Sequence, residues 1–180
     1  MPDIINKTIN GFEPIVHISA EVLILGSMPG VKSLSACQYY AHKQNAFWKV
    51  LGELTGLNPD APYLERLQEL VSHGIAVWDV LHSCKREGSL DTAIDPNSVR
   101  PNDFITFYRD HPNIKLVCFN GAAAEHYYKT HILSTLKNSS ITYLRLPSTS
   151  PAHASLSFQE KVMAWRAVLT QLAIQKNATS

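Results

Sequence analysis

Cysteine is scarce in this chain, and the three residues present, Cys37, Cys84 and Cys118, show no C-x-x-C spacing and leave one over after any pairing. A disulfide framework is therefore not expected, and one chain with three thiols cannot supply the four ligands of an iron–sulfur cluster. Structural zinc would need histidine partners at a ligand spacing, which the sequence does not offer. No metal and no organic cofactor is expected. Charge of one sign is missing too: 16 Lys plus Arg face 15 Asp plus Glu, for a formal net charge of +1. That balance provides no broad cationic surface, so any contact with a phosphate-rich partner must be local. Long apolar runs are absent, and Met1 to Asn10 has no apolar segment behind a basic start. These two absences point to a cytoplasmic protein with no membrane partner. Neither G-x-x-x-x-G-K-[ST] nor G-x-G-x-x-G occurs, which argues against the common phosphate-cradling loops.

What is present suits one core. With 180 residues and 45% of positions hydrophobic, the chain can bury a single good core, and a single domain over 1–180 is expected, with 1–15 and 175–180 peripheral or frayed. Four runs read as buried strands because each is continuously β-branched or aliphatic: Val22 to Gly26, Ile75 to Val80, Lys115 to Asn120 and Ile141 to Leu146. Helical stripes fall between them. Phe47, Trp48, Leu51 and Leu54 share one face ahead of Gly56, and Leu64, Leu67, Leu70 and Val71 form another ahead of Gly74. Phe104, Phe107 and Tyr108 predict a short helix stopped by Pro112, and Ala122 to Thr130 another. Ser157 with Glu160 makes a capping box before Val162, Trp165, Leu169 and Leu172. Alternating strands and helices predict an α/β fold on a mostly parallel four-stranded sheet covered on both faces, with ligands bound at the carboxyl ends of the strands.

The segments after those strands have a shared character: Gly26-Ser27-Met28-Pro29-Gly30, Asp79 to Asp91, Asn120-Gly121, and Leu146 to Ala154. Glycine lets backbone approach a ligand, proline stiffens the loop, and hydroxyl and amide groups offer neutral hydrogen bonds to a phosphate or a base edge. Taken singly, each reads equally well as a plain turn or connector. Together on one rim they suit a nucleotide.

GSMPG followed by Gln38-Tyr39-Tyr40-Ala41-His42-Lys43-Gln44-Asn45-Ala46-Phe47-Trp48 resembles the first motif region of the uracil-DNA glycosylase superfamily, and more narrowly its hypoxanthine-DNA glycosylase branch and mismatch-specific uracil/thymine relatives. LPSTSPAHA stands where the superfamily's second, DNA-pinching motif belongs, and the resemblance spans roughly Val22 to Ser155. It implies a three-layer α/β/α sandwich. Two departures stand out: Met28 occupies the place where many members carry a water-activating Asp or Asn, and Leu146 the place of a His that holds charge on the departing base. The resemblance to the hypoxanthine branch implies reliance on Asn45 instead.

Asn45 can accept a hydrogen bond from a water and aim it at the anomeric carbon, although an Asn before an apolar helix is also a favoured cap. Asp79, ending the second strand, is the candidate reader of the base edge, since a carboxylate accepts from the ring N–H of hypoxanthine or uracil and repels adenine; its alternative is to cap the following loop. Tyr39 or Tyr40 can stack on an extruded base, with Ser27, Met28, Phe119 and Asn120 nearby, though Phe119 reads chiefly as core. Gly26, Pro29, Gly30, Pro147, Ser148, Ser150 and His153 are candidates for the DNA backbone, and His153 could equally satisfy a loop carbonyl. Lys85 and Arg86 add local positive charge or simply a solvated surface. Leu156 is a candidate wedge for the vacated base stack, or a core contact at a helix start.

The resemblance implies hydrolysis of the N-glycosidic bond of a deaminated base, hypoxanthine first and uracil second, by a monomer acting on DNA and leaving an abasic site. The resemblance implies no lysine as a Schiff-base nucleophile, so strand cleavage is not expected. The alternatives are a nucleoside or nucleotide hydrolase or transferase of parallel α/β fold, and a module that binds damaged DNA without cutting it.

Overall fold

The computed structural model describes residues 8–136 and 140–178. In chain order the elements are β1 (Thr8–Asn10), β2 (Val22–Gly26), α1 (Val31–Ala36), α2 (Phe47–Thr55), α3 (Tyr63–Ser72), β3 (Ile75–Asp79), β4 (Leu81–Lys85), β5 (Arg100–Pro101), α4 (Phe104–Asp110), β6 (Leu116–Asn120), α5 (Ala122–His131), β7 (Thr142–Leu146), α6 (Phe158–Trp165) and α7 (Ala167–Ala178).

The main sheet runs β3-β2-β6-β7, and all three pairings are parallel. β2, β3 and β6 are apolar on both sides because both sides are covered, while the edge strand β7 exposes Thr142 and Arg145. Leu23, Leu25, Ala76, Trp78, Val117 and Phe119 point into one core with Phe104 and Phe107 of α4 and Tyr128 of α5. Val22, Ile24, Ile75, Val77, Leu116 and Cys118 point into the other with residues of α2, α3, α6 and α7. The period-two alternation of a strand thus distributes one continuous apolar run between two helical layers. Burying each such Leu or Ile contributes about 1.5–3 kcal/mol. The result is the three-layer α/β/α sandwich expected from the sequence. Register then aligns the strand ends: Gly26 lies opposite Asp79, Asn120 opposite Leu146, and Leu25 opposite Phe119. The connections leaving β2, β3, β6 and β7 therefore open on one edge.

The structure differs from the sequence reading in three places. Asp79 to Asp91 reads as a loop, yet it contains β4, which pairs antiparallel with β1 and β5 in a second, three-stranded sheet. Leu81, Ser83 and Cys84 are buried there while His82 is exposed. Of the terminal segments, 1–7 and 179–180 lie outside the described residues; Thr8–Asn10 pairs with Ser83 to Lys85, and Ile15 bridges Val77. The last helix is two. Ser157 and Glu160 do form the reciprocal capping box, but at Arg166 the bonding shifts to three-residue spacing, with Arg166 N–H donating to Met163 O and Leu169 N–H to Arg166 O, and α6 gives way to α7.

Candidate active site

At the aligned strand ends lies a cavity of about 270 Å³. Its walls bring together most of the residues singled out from sequence: Gly26, Ser27, Met28, Pro29 and Gly30 from the turn after β2, Tyr39, Tyr40 and Asn45 before α2, Asp79, Asn120, and Ser148 and Ser150 after β7.

Asp79 forms the floor. The residue is 4% exposed, its Oδ2 is buried with no hydrogen-bond partner, and its backbone oxygen accepts from Asn102 Nδ2 at 2.8 Å. Burial first, and the neighbouring Asp91 second, push its carboxyl up to about 7, while Arg86 opposes the shift. A Cβ at Gly26 would run into Asp79 Oδ1, so only glycine leaves that carboxyl its place.

Tyr40 is the aromatic of the pocket. Its ring stacks on Phe47 with centroids 3.8 Å apart and planes 19° apart, and its backbone sits at φ 54°, a left-handed conformation that bulky residues rarely adopt. The hydroxyl lies near Asn120 and Asp79 but makes no hydrogen bond of good geometry. Tyr39 is committed elsewhere: its hydroxyl donates to Glu13 O at 3.1 Å, and its carbonyl accepts from Trp48 Nε1 at 3.0 Å.

Asn45 stands half-buried in the wall, its Oδ1 accepting from Phe47 N–H at 3.0 Å. Asn45 is not the cap weighed from sequence: the N-cap of α2 is Ala46, which has no side-chain cap, and the Asn45 contact is a turn of i to i+2 spacing one residue earlier. A carbonyl oxygen has two lone pairs, so the contact leaves room for a second donor such as a water. Behind it, Ala46 N–H donates to Thr149 O at 3.0 Å, and Asn120 grips Thr149 through two further bonds, Nδ2 to Oγ1 and Oδ1 from N–H, both 2.9 Å. Thr149 is 1% exposed and ties three segments together.

Other expected residues do not meet the cavity. Phe119 is fully buried against Tyr128 and Tyr143. Arg86, read as surface charge, is buried: its guanidinium donates from Nη2 to Pro29 O and from Nε to Gly88 O, so it fastens the β2 turn to the segment after β4. Lys85 ends β4 outside the lining, and Pro147 O accepts from Trp165 Nε1 at 2.9 Å. His153 lies outside as well; its carbonyl accepts from Lys161 Nζ at 2.7 Å, and its Nε2 is 3.3 Å from Ser155 Oγ. Leu156 is half-buried and does not line the cavity.

Sequence reasoning missed Thr149, Asp91, Lys32, His42 and Leu90, all of which line the cavity. Asp91 Oδ1 accepts from Ser27 Oγ at 2.6 Å, a contact between positions 64 apart that no local pattern announces. Burial raises the Asp91 carboxyl, while Ser27 and Arg86 pull it back. Among the described residues, no group of three or more His, Cys, Asp or Glu is placed to hold a metal ion, and no helix is long and apolar enough to cross a membrane.

The protein is thus of α/β class, with a small, half-polar cavity at the carboxyl ends of its parallel sheet that holds an unpaired carboxyl, a stacked aromatic and an amide. A sequence profile of the uracil DNA glycosylase superfamily matches residues 14–169, and the chain belongs to that superfamily. It is 39% identical over 132 residues to a hypoxanthine DNA glycosylase of Methanosarcina barkeri, covering 68% of this chain and 82% of the relative. A hypoxanthine DNA glycosylase of Methanosarcina acetivorans is 34% identical over 159 residues, covering 88% and 96%. A solution NMR structure from Methanosarcina acetivorans, described as a candidate uracil DNA glycosylase, superposes with a TM-score of 0.77 at 32% identity, over 93% of this chain and 99% of that one. The protein is a DNA glycosylase, a hydrolase of N-glycosyl bonds.

Proposed function

We propose that this DNA glycosylase excises hypoxanthine from deoxyinosine, with uracil as a second substrate, acting inside the cell as a monomer on DNA carrying a deaminated base. The observation that carries the reading is Asp79: a buried carboxyl with one unpaired oxygen on the floor of a base-sized cavity. In its ionised form that oxygen accepts from the ring N–H that hypoxanthine and uracil present beside a carbonyl. Adenine offers a lone pair at the same position and is repelled. The volume lies at or below the small end of ligand cavities, roughly 300–1,000 Å³, and suits a flipped base better than a whole nucleotide.

Tyr40 supplies a face for the base, and Asn45 holds a water toward the anomeric carbon. The glycosidic bond breaks with its electron pair leaving on the base, the water oxygen bonds to the sugar carbon, and the water's proton passes to solvent and on to the base. Met28 lines the cavity but cannot act as a base, which leaves Asn45 to steer the water by hydrogen bonding. Ser27, Ser148 and Ser150 with the backbone of the Gly26 to Gly30 turn flank the sugar and phosphates, and Lys32 supplies local positive charge in a chain of net charge +1. The support for hypoxanthine over uracil is the pair of hypoxanthine DNA glycosylases above, together with Asn45 and the residues at 28 and 146.

The test is incubation with oligonucleotides carrying hypoxanthine, uracil or xanthine, followed by alkali to reveal abasic sites. Release from the hypoxanthine strand first, and from uracil more slowly, is the expected result. Release of uracil alone, or cleavage of free deoxyinosine without cleavage of the oligonucleotide, would overturn it.

A further inference from the structure

We propose that Leu90 is the wedge that enters the base stack when the target nucleotide swings into the cavity. Of the large exposed hydrophobic side chains among the described residues (Ile18, Val31, Leu64, Leu90, Ile105, Leu133, Met163 and Ile174), Leu90 alone lines the cavity. It is 58% exposed at the mouth. Its position is enforced from both sides. Ser89 Oγ accepts from Val31 N–H at 2.9 Å, Asp91 Oδ1 accepts from Ser27 Oγ at 2.6 Å, and Arg86 bonds both Pro29 O and Gly88 O. The Leu90 backbone between these fastenings is extended, with φ −79° and ψ 132°, and its carbonyl accepts from Ala93 N–H at 3.0 Å.

Such a side chain fails to collapse onto the protein because its flanks are tied to the β2 turn. An apolar group held out beside a base pocket matches the hole that an extruded base leaves, since stacked bases offer apolar faces above and below the gap. The other exposed apolar residues of the lining, Pro151 and Ala152, are smaller and shorter than a leucine. Leu156, the candidate from sequence, is half-buried away from the cavity. The inference rests on base excision by this site and adds the residue that fills the duplex.

The experiment compares Leu90→Ala, Leu90→Phe and Leu156→Ala with the unmodified protein in two assays. In the first, single-turnover release of hypoxanthine is measured from a duplex and from the same strand unpaired. Leu90→Ala should lower the duplex-to-single-strand rate ratio by about tenfold, Leu90→Phe should restore most of it, and Leu156→Ala should leave it unchanged. In the second, 2-aminopurine sits beside a stable abasic analogue in a duplex, and wedge entry changes its fluorescence. Leu90→Ala should abolish that change. This second readout needs no excision, so it stands even where the choice of hypoxanthine fails. An unchanged ratio, equal loss on both strand forms, a loss seen only in Leu156→Ala, or a fluorescence change retained in Leu90→Ala would each overturn the assignment.

Discussion

Asn120 and Thr149 hold each other by a pair of hydrogen bonds, each 2.9 Å, that lock the end of β6 to the loop after β7. Thr149→Val keeps the shape of the buried side chain and removes the acceptor, so Asn120 Nδ2 loses its partner. The expected cost is about 1–3 kcal/mol of stability. Because Ala46 N–H also bonds Thr149 O, the Asn45 wall shifts with the loop, and single-turnover excision should fall about tenfold while DNA affinity is kept. Thermal melting and single-turnover kinetics check both halves.

Asn45→Ser separates the turn contact at Phe47 N–H from the chemistry. Serine accepts from the same N–H in the corresponding hydroxyl turn, so melting should change by less than about 1 kcal/mol. Excision should fall by about two orders of magnitude or more, because the shorter hydroxyl cannot hold water where the amide does. Unchanged kinetics would remove Asn45 from the mechanism.

Asp79 makes both activity and stability pH-dependent, with opposite signs. Its folded carboxyl titrates near 7, above the ordinary 3.8, because burial disfavours the charged form. From about 3.8 to 7 the unfolded chain has lost the proton that the folded chain retains, so this group's stabilising contribution, complete below 3.8, is lost as pH rises through 7. The carboxylate that accepts from the base N–H appears over the same rise, so excision should climb as pH passes 7. Asp79→Asn should flatten the pH–rate profile, lower the preference for hypoxanthine over adenine, and raise the melting temperature more at pH 8 than at pH 5. Melting and excision across that range test the assignment.

Arg86→Met tests whether the buried guanidinium fastens the site or touches phosphate. Losing its bonds to Pro29 O and Gly88 O should cost about 1–3 kcal/mol and slow excision through the displaced turn. The salt dependence of DNA affinity should keep its slope, since no phosphate contact is lost. A slope lower by about one unit would restore the phosphate role.

The sheet was legible because β2, β3 and β6 each carry an unbroken apolar run, which only a strand covered on both faces needs. The small sheet was not. His82, Ser83 and Lys85 dilute the alternation of β4, and its partner β5 is two residues long and contains Pro101. Asn45, Asp79 and Tyr40 were legible from motif and strand-end position. Asp91 and Thr149 were not, because their contacts join distant segments. Arg86 misled for a related reason: beside Lys85 it reads as an exposed basic pair, whereas the bridge between Arg86 and Ile94 continues the strand pairing and turns it inward.

All four central strands run the same way, so none of their connections is a hairpin and every one crosses the molecule before returning. The ladder is held by backbone groups and by apolar layers away from the rim. Of the four strand ends, Gly26 is held by close packing, Asn120 by its bonds to Thr149 and Leu146 by the core, while Asp79 presents an unpaired oxygen to the cavity. A shift in lesion preference within such a scaffold asks for a change at that last tip and no new architecture.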